Sequence, residues 1–225
     1  MMNRYSAVAW DAVAVAALCF GAWLTFLAPS AAEPAAPVAT RANALVRPFD
    51  RALGNPAAPV VLIEYASPTC PHCAEFHRQY FQSLKSKYID TGKVRFVYRI
   101  YMLRPDDAPA EKLSRCLPAE HYFDFIGLLF QKQSDWDADI YPNVNMKGAL
   151  IQIARSVGLT KERAEKCMAD TALDKQLNQV SEEAEKKYKV DGTPTFVVDD
   201  VADEAGEQWA HLQNRLAAAV AAKRR

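Results

Sequence analysis

The chain has 225 residues, half of them hydrophobic, with 27 basic and 27 acidic side chains and therefore no formal net charge. That length can bury a sizeable core in one domain, or in one domain carrying a large insertion. The balanced charge leaves no basic footprint for nucleic acid.

The first 32 residues stand apart from the rest. After Arg4 and Asp11, AVAVAALCFGAWLTFLA (Ala12 to Ala28) is an uncharged apolar run of 17 residues, followed by small residues at Ser30 and Ala32 in cleavage-site spacing. The run is slightly long for a signal core and slightly short for a membrane span. Residues 1–32 are therefore expected to be a cleaved signal peptide or an uncleaved membrane anchor. Leu18 precedes Cys19 where a lipid-anchor signal needs a small residue, so no lipid is expected there. Residues 33–44, rich in Ala and Pro and without a large apolar side chain, read as a linker, and folding is expected to begin near Leu45.

ALVRPF (Ala44 to Phe49) reads as a first strand. APVVLIEYAS (Ala58 to Ser67) is short, apolar and β-branched between Pro59 and Pro68, which predicts a buried strand. Phe76, Tyr80, Phe81, Leu84 and Tyr88 then line one face of a predicted helix, and KVRFVYRIYML (Lys93 to Leu103) returns to strand. The opening is thus β-β-α-β.

Where the second strand meets that helix stands CPHC, Cys70 to Cys73. Cys70 falls at the helix N-terminus, where unpaired N–H groups and the macrodipole favour a thiolate. A structural zinc site could draw three ligands from Cys70, Cys73 and His77, but no second C-x2-C or H-x3-H pair completes the tetrahedron. Covalent haem needs a histidine directly after the second cysteine, and position 74 is Ala. A merely structural disulfide would close so small a loop that it stabilises little. A redox dithiol fits best. His72 can place positive charge near the Cys70 sulfur, and Cys73, one turn in and more buried, is the expected resolving thiol to Cys70 as the exposed nucleophile. With Cys19 in the export segment, cysteines 70, 73, 116 and 167 remain for an oxidising compartment. The first two pair by proximity. Cys116 and Cys167 are left to each other, or are two unrelated buried thiols.

The next stretch carries no strand signals. PAEHYFDFIGLLFQKQ (Pro118 to Gln133) predicts a buried helix, NMKGALIQIARSVG (Asn145 to Gly158) a helix ending at a glycine, and KERAEKCMA a helix capped by Thr160. ALDKQLNQVSEEAEKKYKV (Ala172 to Val190) predicts a helix whose Glu182/Lys186, Glu183/Lys187 and Glu185/Lys189 lie four apart in the favourable order. His121 and His211 are assigned no role. DGTPTFVVDD (Asp191 to Asp200) is the last clear strand, and Trp209, Leu212, Leu216 and Val220 form a stripe on a final helix.

These features together resemble the DsbA family of exported dithiol oxidases. The resemblance covers residues 45 to 220 and rests on CPHC at 70 to 73, on GTPTF at 192 to 196 with Thr193 preceding Pro194, on Glu64 six residues before Cys70, and on the second cysteine pair. It implies an α/β chain with a thioredoxin-like fold (45–103 and 188–225) interrupted by an all-helical insertion domain (104–187). It implies a redox centre of Cys70, Pro71, His72 and Cys73, and a cis-proline loop in which Thr193 and Pro194 form a docking edge. Glu64 would be a buried acid able to exchange a proton with Cys73; the other reading of Glu64 is a strand-end acid paired with a lysine. Cys116 and Cys167 match a structural disulfide found in a subset of the family. The implied protein is a periplasmic monomer without cofactor or metal. It introduces disulfides into reduced, unfolded exported proteins and is reoxidised by a membrane oxidase. The alternatives are a disulfide isomerase or reductase of the same fold, or a non-enzymatic Cys/His metal-binding protein. One departure stands out: VVDDVADEAGEQW (Val197 to Trp209) lacks the glycine-containing hairpin and second β-rich run that usually complete the family's sheet, so the last edge strand is expected to be truncated.

Overall fold

The computed structural model describes residues 44–141, 143–203 and 208–223. The expected export segment and residues 33–43 of the expected linker lie outside the described residues. Among the described residues no helix is long and apolar enough to cross a membrane.

Five strands form one mixed sheet: β1 (Arg51–Leu53), β2 (Val60–Ala66), β3 (Val94–Ile100), β4 (Thr195–Val198) and β5 (Val201–Asp203), in the order β1-β3-β2-β4-β5. Strand β2 runs parallel to β3, and the remaining pairs are antiparallel. All seven residues of β2 are buried, as a central strand covered on both faces requires. Alternation divides the core in two. Val60, Leu62 and Ala66 pack on one side with α1 (Pro71–Gln79) and the apolar stripe Leu212, Leu216 and Val220 of the C-terminal helix. Val61, Ile63 and Tyr65 pack on the other against Leu177, Val180 and Ala184.

Between β3 and β4 the described chain is helical: α3 (Asp107–Cys116), α4 (Tyr122–Gln131), α5 (Gln133–Trp136), α6 (Met146–Ser156), α7 (Lys161–Met168) and α8 (Thr171–Tyr188), with a 3-10 turn at Ala119–His121. Two caps follow the sequence signals: the Thr160 side chain accepts from Arg163 N, and Gly158 takes φ +95° after α6; Asn145, which the sequence reading did not single out, accepts from Gly148 N. The sulfurs of Cys116 and Cys167 are joined, linking the end of α3 to α7 across 51 residues. Closing a loop of that length stabilises by up to about 4 kcal/mol in the chain-entropy treatment.

Several expectations are corrected. ALVRPF is not a strand. Asp50 N donates to Arg47 O and Arg47 N to the Asp50 carboxylate, closing a turn around Pro48, and Asp50 is held by Arg99 at 2.7 Å; pairing starts only at Arg51. The helix after the cysteines is not continuous. It breaks at Tyr80 (φ −120°), whose ring stacks on Trp209 at 5.7 Å, and resumes as α2 (Phe81–Leu84) and a π-turn (Lys85–Ile89). Helix α4 is not buried all round, because Phe123 and Leu128 are only partly covered. Of the three Glu/Lys pairs on α8 only Glu182–Lys186 forms, at 3.2 Å. Glu183 turns to Arg47, Lys187 to Asp200 and Glu185 to the Tyr101 hydroxyl.

The edge strand is present and short, three residues among those described, but the turn into it is not the one the sequence suggests. Two aspartates stand where glycine was sought: Asp199 and Asp200 adopt φ +48° and +74°, the pair of positive values a two-residue hairpin demands. Side chains elsewhere hold them there. The Asp199 carboxylate accepts from Val61 N and pairs with Lys223, while Asp200 takes Lys187 and the Tyr188 hydroxyl.

Candidate active site

Pro71 occupies the first position of α1, where its missing N–H costs nothing and its fixed φ suits the helix. That makes Cys70 the N-cap, in extended conformation (φ −79°, ψ 121°), and puts Cys73 on the first turn, facing the core. The Cys70 sulfur therefore stands where a capping oxygen normally receives the first free backbone N–H groups. Across from it the Thr193–Pro194 peptide is cis, and the Cys70 thiol donates to the Thr193 carbonyl at 3.2 Å.

Cys70 is not the exposed tip expected from sequence. It is 4% exposed, covered by the Thr193–Pro194 loop, and the exposed residues are Pro71 and His72 beside it. Cys73 is completely buried. Their acidities are driven apart. The Cys70 pKa falls from 9.0 to about 6, first because the Cys73 thiol donates to its sulfur and, against the opposing cost of burial, because Thr193 and the backbone N–H groups of Cys73 and His72 add to it. The Thr193 hydroxyl is buried without another partner, so it is able to turn toward an ionised sulfur. Burial raises the Cys73 pKa well above its ordinary value, reinforced by Cys70 and by the charge of Glu64. His72 acts on Cys70 through its backbone N–H, and its imidazole is exposed beside the sulfur.

Glu64 lies at the centre of β2, paired in register with Tyr98 and Phe196, fully buried on the sheet face that Cys73 packs against. Its partner is not a lysine. His77 Nε2 lies 2.9 Å and 3.2 Å from the two carboxylate oxygens, and the imidazole is held between the rings of Phe81 (4.6 Å) and Phe130 (4.5 Å). Among the described residues no three His, Cys, Asp or Glu side chains converge as metal ligands would.

The residues that build this sheet, dithiol and cis-proline loop fall within a match, over residues 47–218, to a family profile described as Thioredoxin. The chain belongs to the thioredoxin family. Its DsbA-like form is shared with Wolbachia pipientis alpha-DsbA1, which is 29% identical and superposes with a TM-score of 0.72 over 81% of this chain and 97% of that one. A Rickettsia bellii protein named for protein-disulfide oxidoreductase is 34% identical over 156 residues, 69% of this chain and 59% of its own, so the chain spans only part of that relative's length. Disulfide bond formation protein D of Bacillus subtilis is 27% identical over 66% of this chain and 67% of its own.

In this thioredoxin-family chain the loop before the dithiol depends on residues that sequence reasoning passed over. The buried carboxylate of Asp107, at the start of α3, accepts five hydrogen bonds. Ser67 Oγ, Thr69 N and Thr69 Oγ1 donate to one oxygen at 2.7–2.9 Å, and Leu103 N and Arg104 N to the other at 2.8 and 3.0 Å. Arg104 adds bonds to the Thr69 hydroxyl and carbonyl and pairs with Asp137, and Gln133 donates to the Pro68 carbonyl. The helical segment thereby fixes the backbone that carries Cys70. Asp107→Ala would leave three backbone N–H donors without their acceptor, that of Thr69 fully buried. We expect it to destabilise the fold by about 3 kcal/mol or more, read as a lower urea midpoint at unchanged slope; an unchanged midpoint would contradict the assignment.

Proposed function

We propose that this protein is an exported thiol:disulfide oxidoreductase that introduces disulfides into reduced, unfolded proteins through Cys70 and Cys73. The observation that carries the reading is the opposed acidity of the two sulfurs: Cys70 lowered to about 6 and within reach of the Thr193–Pro194 loop, Cys73 raised and sealed. A thiolate stabilised in the dithiol form favours reduction of the enzyme and makes its disulfide the stronger oxidant. The relatives' names point the same way.

In the oxidised enzyme a substrate thiolate attacks Cys70. The Cys70–Cys73 bond breaks, a mixed disulfide forms, and Cys73 leaves as a thiolate that takes up a proton, as its raised pKa requires. A second substrate thiolate then attacks the substrate sulfur of the mixed disulfide. The substrate leaves with one disulfide, oxidised by two electrons, and Cys70 leaves as the thiolate. Cys70 is the better leaving group because its conjugate thiol is the more acidic. The backbone of Thr193 to Thr195, beside the sulfur and at the start of β4, serves as the edge on which an extended substrate docks. Glu64 exchanges the Cys73 proton. A periplasmic site of action, a membrane oxidase that restores the disulfide, and action as a monomer complete the proposal.

The test compares two activities of the purified oxidised protein. It should oxidise a reduced, unfolded multi-cysteine protein much faster than, once reduced, it rearranges a scrambled one. Rearrangement as the faster activity would reassign it as an isomerase. Stoichiometric zinc without either activity would make it a metal-binding protein.

A further inference from the structure

Proton traffic to Cys73 has no direct route. The thiol is wholly buried, and the step that releases a partner requires it to ionise: Cys73 attacks Cys70 in the mixed disulfide, the Cys70–partner bond breaks as the Cys70–Cys73 bond forms, Cys73 is oxidised while Cys70 stays at the disulfide level, the partner's sulfur departs reduced as a thiolate, and one proton is left inside the protein. Three placements bear on where that proton goes. Glu64 is fully buried on the same sheet face, close enough for its charge to act on Cys73. His77 follows Cys73 by four residues on α1, hence on the same helix face, and its Nε2 spans both Glu64 oxygens at 2.9 and 3.2 Å. His77 also lines a cleft of about 660 Å³ between α1–α2 and α4, walled by Phe81, Phe123, Leu128 and Phe130.

We propose that Glu64 and His77 form a two-residue relay that carries the Cys73 proton between the buried dithiol and this cleft. The inference rests on the dithiol-exchange reading above. In the releasing step the Glu64 carboxylate takes the proton from Cys73 and passes it to His77 Nε2, and the imidazole gives it up to water in the cleft. In the substrate-oxidising half of the cycle the same groups return a proton to Cys73. The Phe81 and Phe130 rings fix the imidazole plane against the carboxylate, which a relay needs and a surface ion pair does not. The charged groups around His77 are Glu64 from β2, Arg78 from α1, Lys85 from the π-turn, Glu120 from the 3-10 turn and Asp124 from α4. Arg78 is engaged by Glu75 and Lys85 by Asp90, which leaves the imidazole as the group bonded to the buried acid. Tyr98 from β3 lies opposite Glu64 in register.

The test follows the fully reduced protein reacting with glutathione disulfide, quenched with acid and read by mass, so that glutathione capture by Cys70 and its expulsion by Cys73 are timed separately across pH. His77→Gln keeps most of the side-chain volume and a hydrogen bond to Glu64 but cannot relay a proton. It should slow expulsion by at least about tenfold at neutral pH while capture changes by less than about twofold. In His77→Ala, added imidazole, which the cleft can admit, should restore expulsion in proportion to its concentration. Expulsion in folded His77→Gln within about twofold of wild type, equal slowing of both steps, or slowing that imidazole leaves untouched would each overturn the relay. A wild-type protein that never captures glutathione on Cys70 would instead sink the dithiol-exchange reading itself.

Discussion

Cys70→Ser should lose disulfide transfer to a reduced, unfolded protein by more than about a thousandfold, since a hydroxyl can neither hold nor pass on a disulfide. The size of the effect follows from the inventory of sulfurs. Cys116 and Cys167 are bonded to each other, and Cys73 is wholly buried with its acidity suppressed. Among the described residues Cys70 alone combines a stabilised thiolate with a neighbouring backbone edge. Compared below pH 6, where the thiolate contributes nothing, the folded state should survive within about 1 kcal/mol of the reduced wild type. Unfolding curves at matched redox state separate lost chemistry from lost structure. Residual transfer above a tenth of the wild-type rate would move the reaction to another sulfur.

Cys73→Ser should have the opposite phenotype and accumulate mixed disulfides. Cys70 keeps its own carbonyl contact and the backbone N–H groups of His72 and residue 73, so it still attacks, but the thiol that expels a stalled partner is gone. Release then falls to uncatalysed exchange, which takes minutes to hours. Non-reducing electrophoresis of extracts from cells expressing the variant should show adducts that reductant dissolves and that Cys70→Ser lacks. Capture by Cys70→Ser but not by Cys73→Ser would reverse the two roles. The captured proteins would be the clients, and a membrane protein among them would be a candidate reoxidant.

The dithiol and its helix were legible because their signals are local: a β-branched run ending in Pro68, a proline at the first helical position, and two cysteines at the cap and the first turn. What supports them was not. Helix α3 escaped notice because the face it buries is largely polar, with Asp107, Glu111, Lys112 and Ser114 inward, so it has little apolar stripe to read. Its function as anchor for the Cys70 loop is visible only when residues 67–69 and 103–107 meet in space. His77 was in view four residues after Cys73, yet its meaning depends on Glu64 from a different element. The edge hairpin shows tertiary bonds overriding a local rule, since Val61, Lys187, Tyr188 and Lys223 hold two aspartates in a conformation that glycine adopts unaided. The lost Glu/Lys pairs on α8 are the same effect in reverse: partners on other segments outcompete helix neighbours worth only about 0.5 kcal/mol each.

Everything proposed for the chemistry turns on the Cys70 thiolate. A folded-state pKa of about 6, below the value of an ordinary thiol, stabilises the reduced protein fully above the unfolded value and loses that contribution as the pH falls through 6. Each pKa unit below ambient pH is worth about 1.4 kcal/mol, or about 30 mV for a two-electron couple. The direct measurement is thiolate absorbance of the reduced protein near 240 nm, titrated from acid to alkaline pH and normalised to the oxidised form. A single step near pH 6 that disappears in Cys70→Ser is the predicted result. A first ionisation at the ordinary thiol value of about 8.5, or a step near 6 that survives Cys70→Ser, would contradict the assignment of Cys70 as the tuned sulfur and with it the oxidising character of the dithiol.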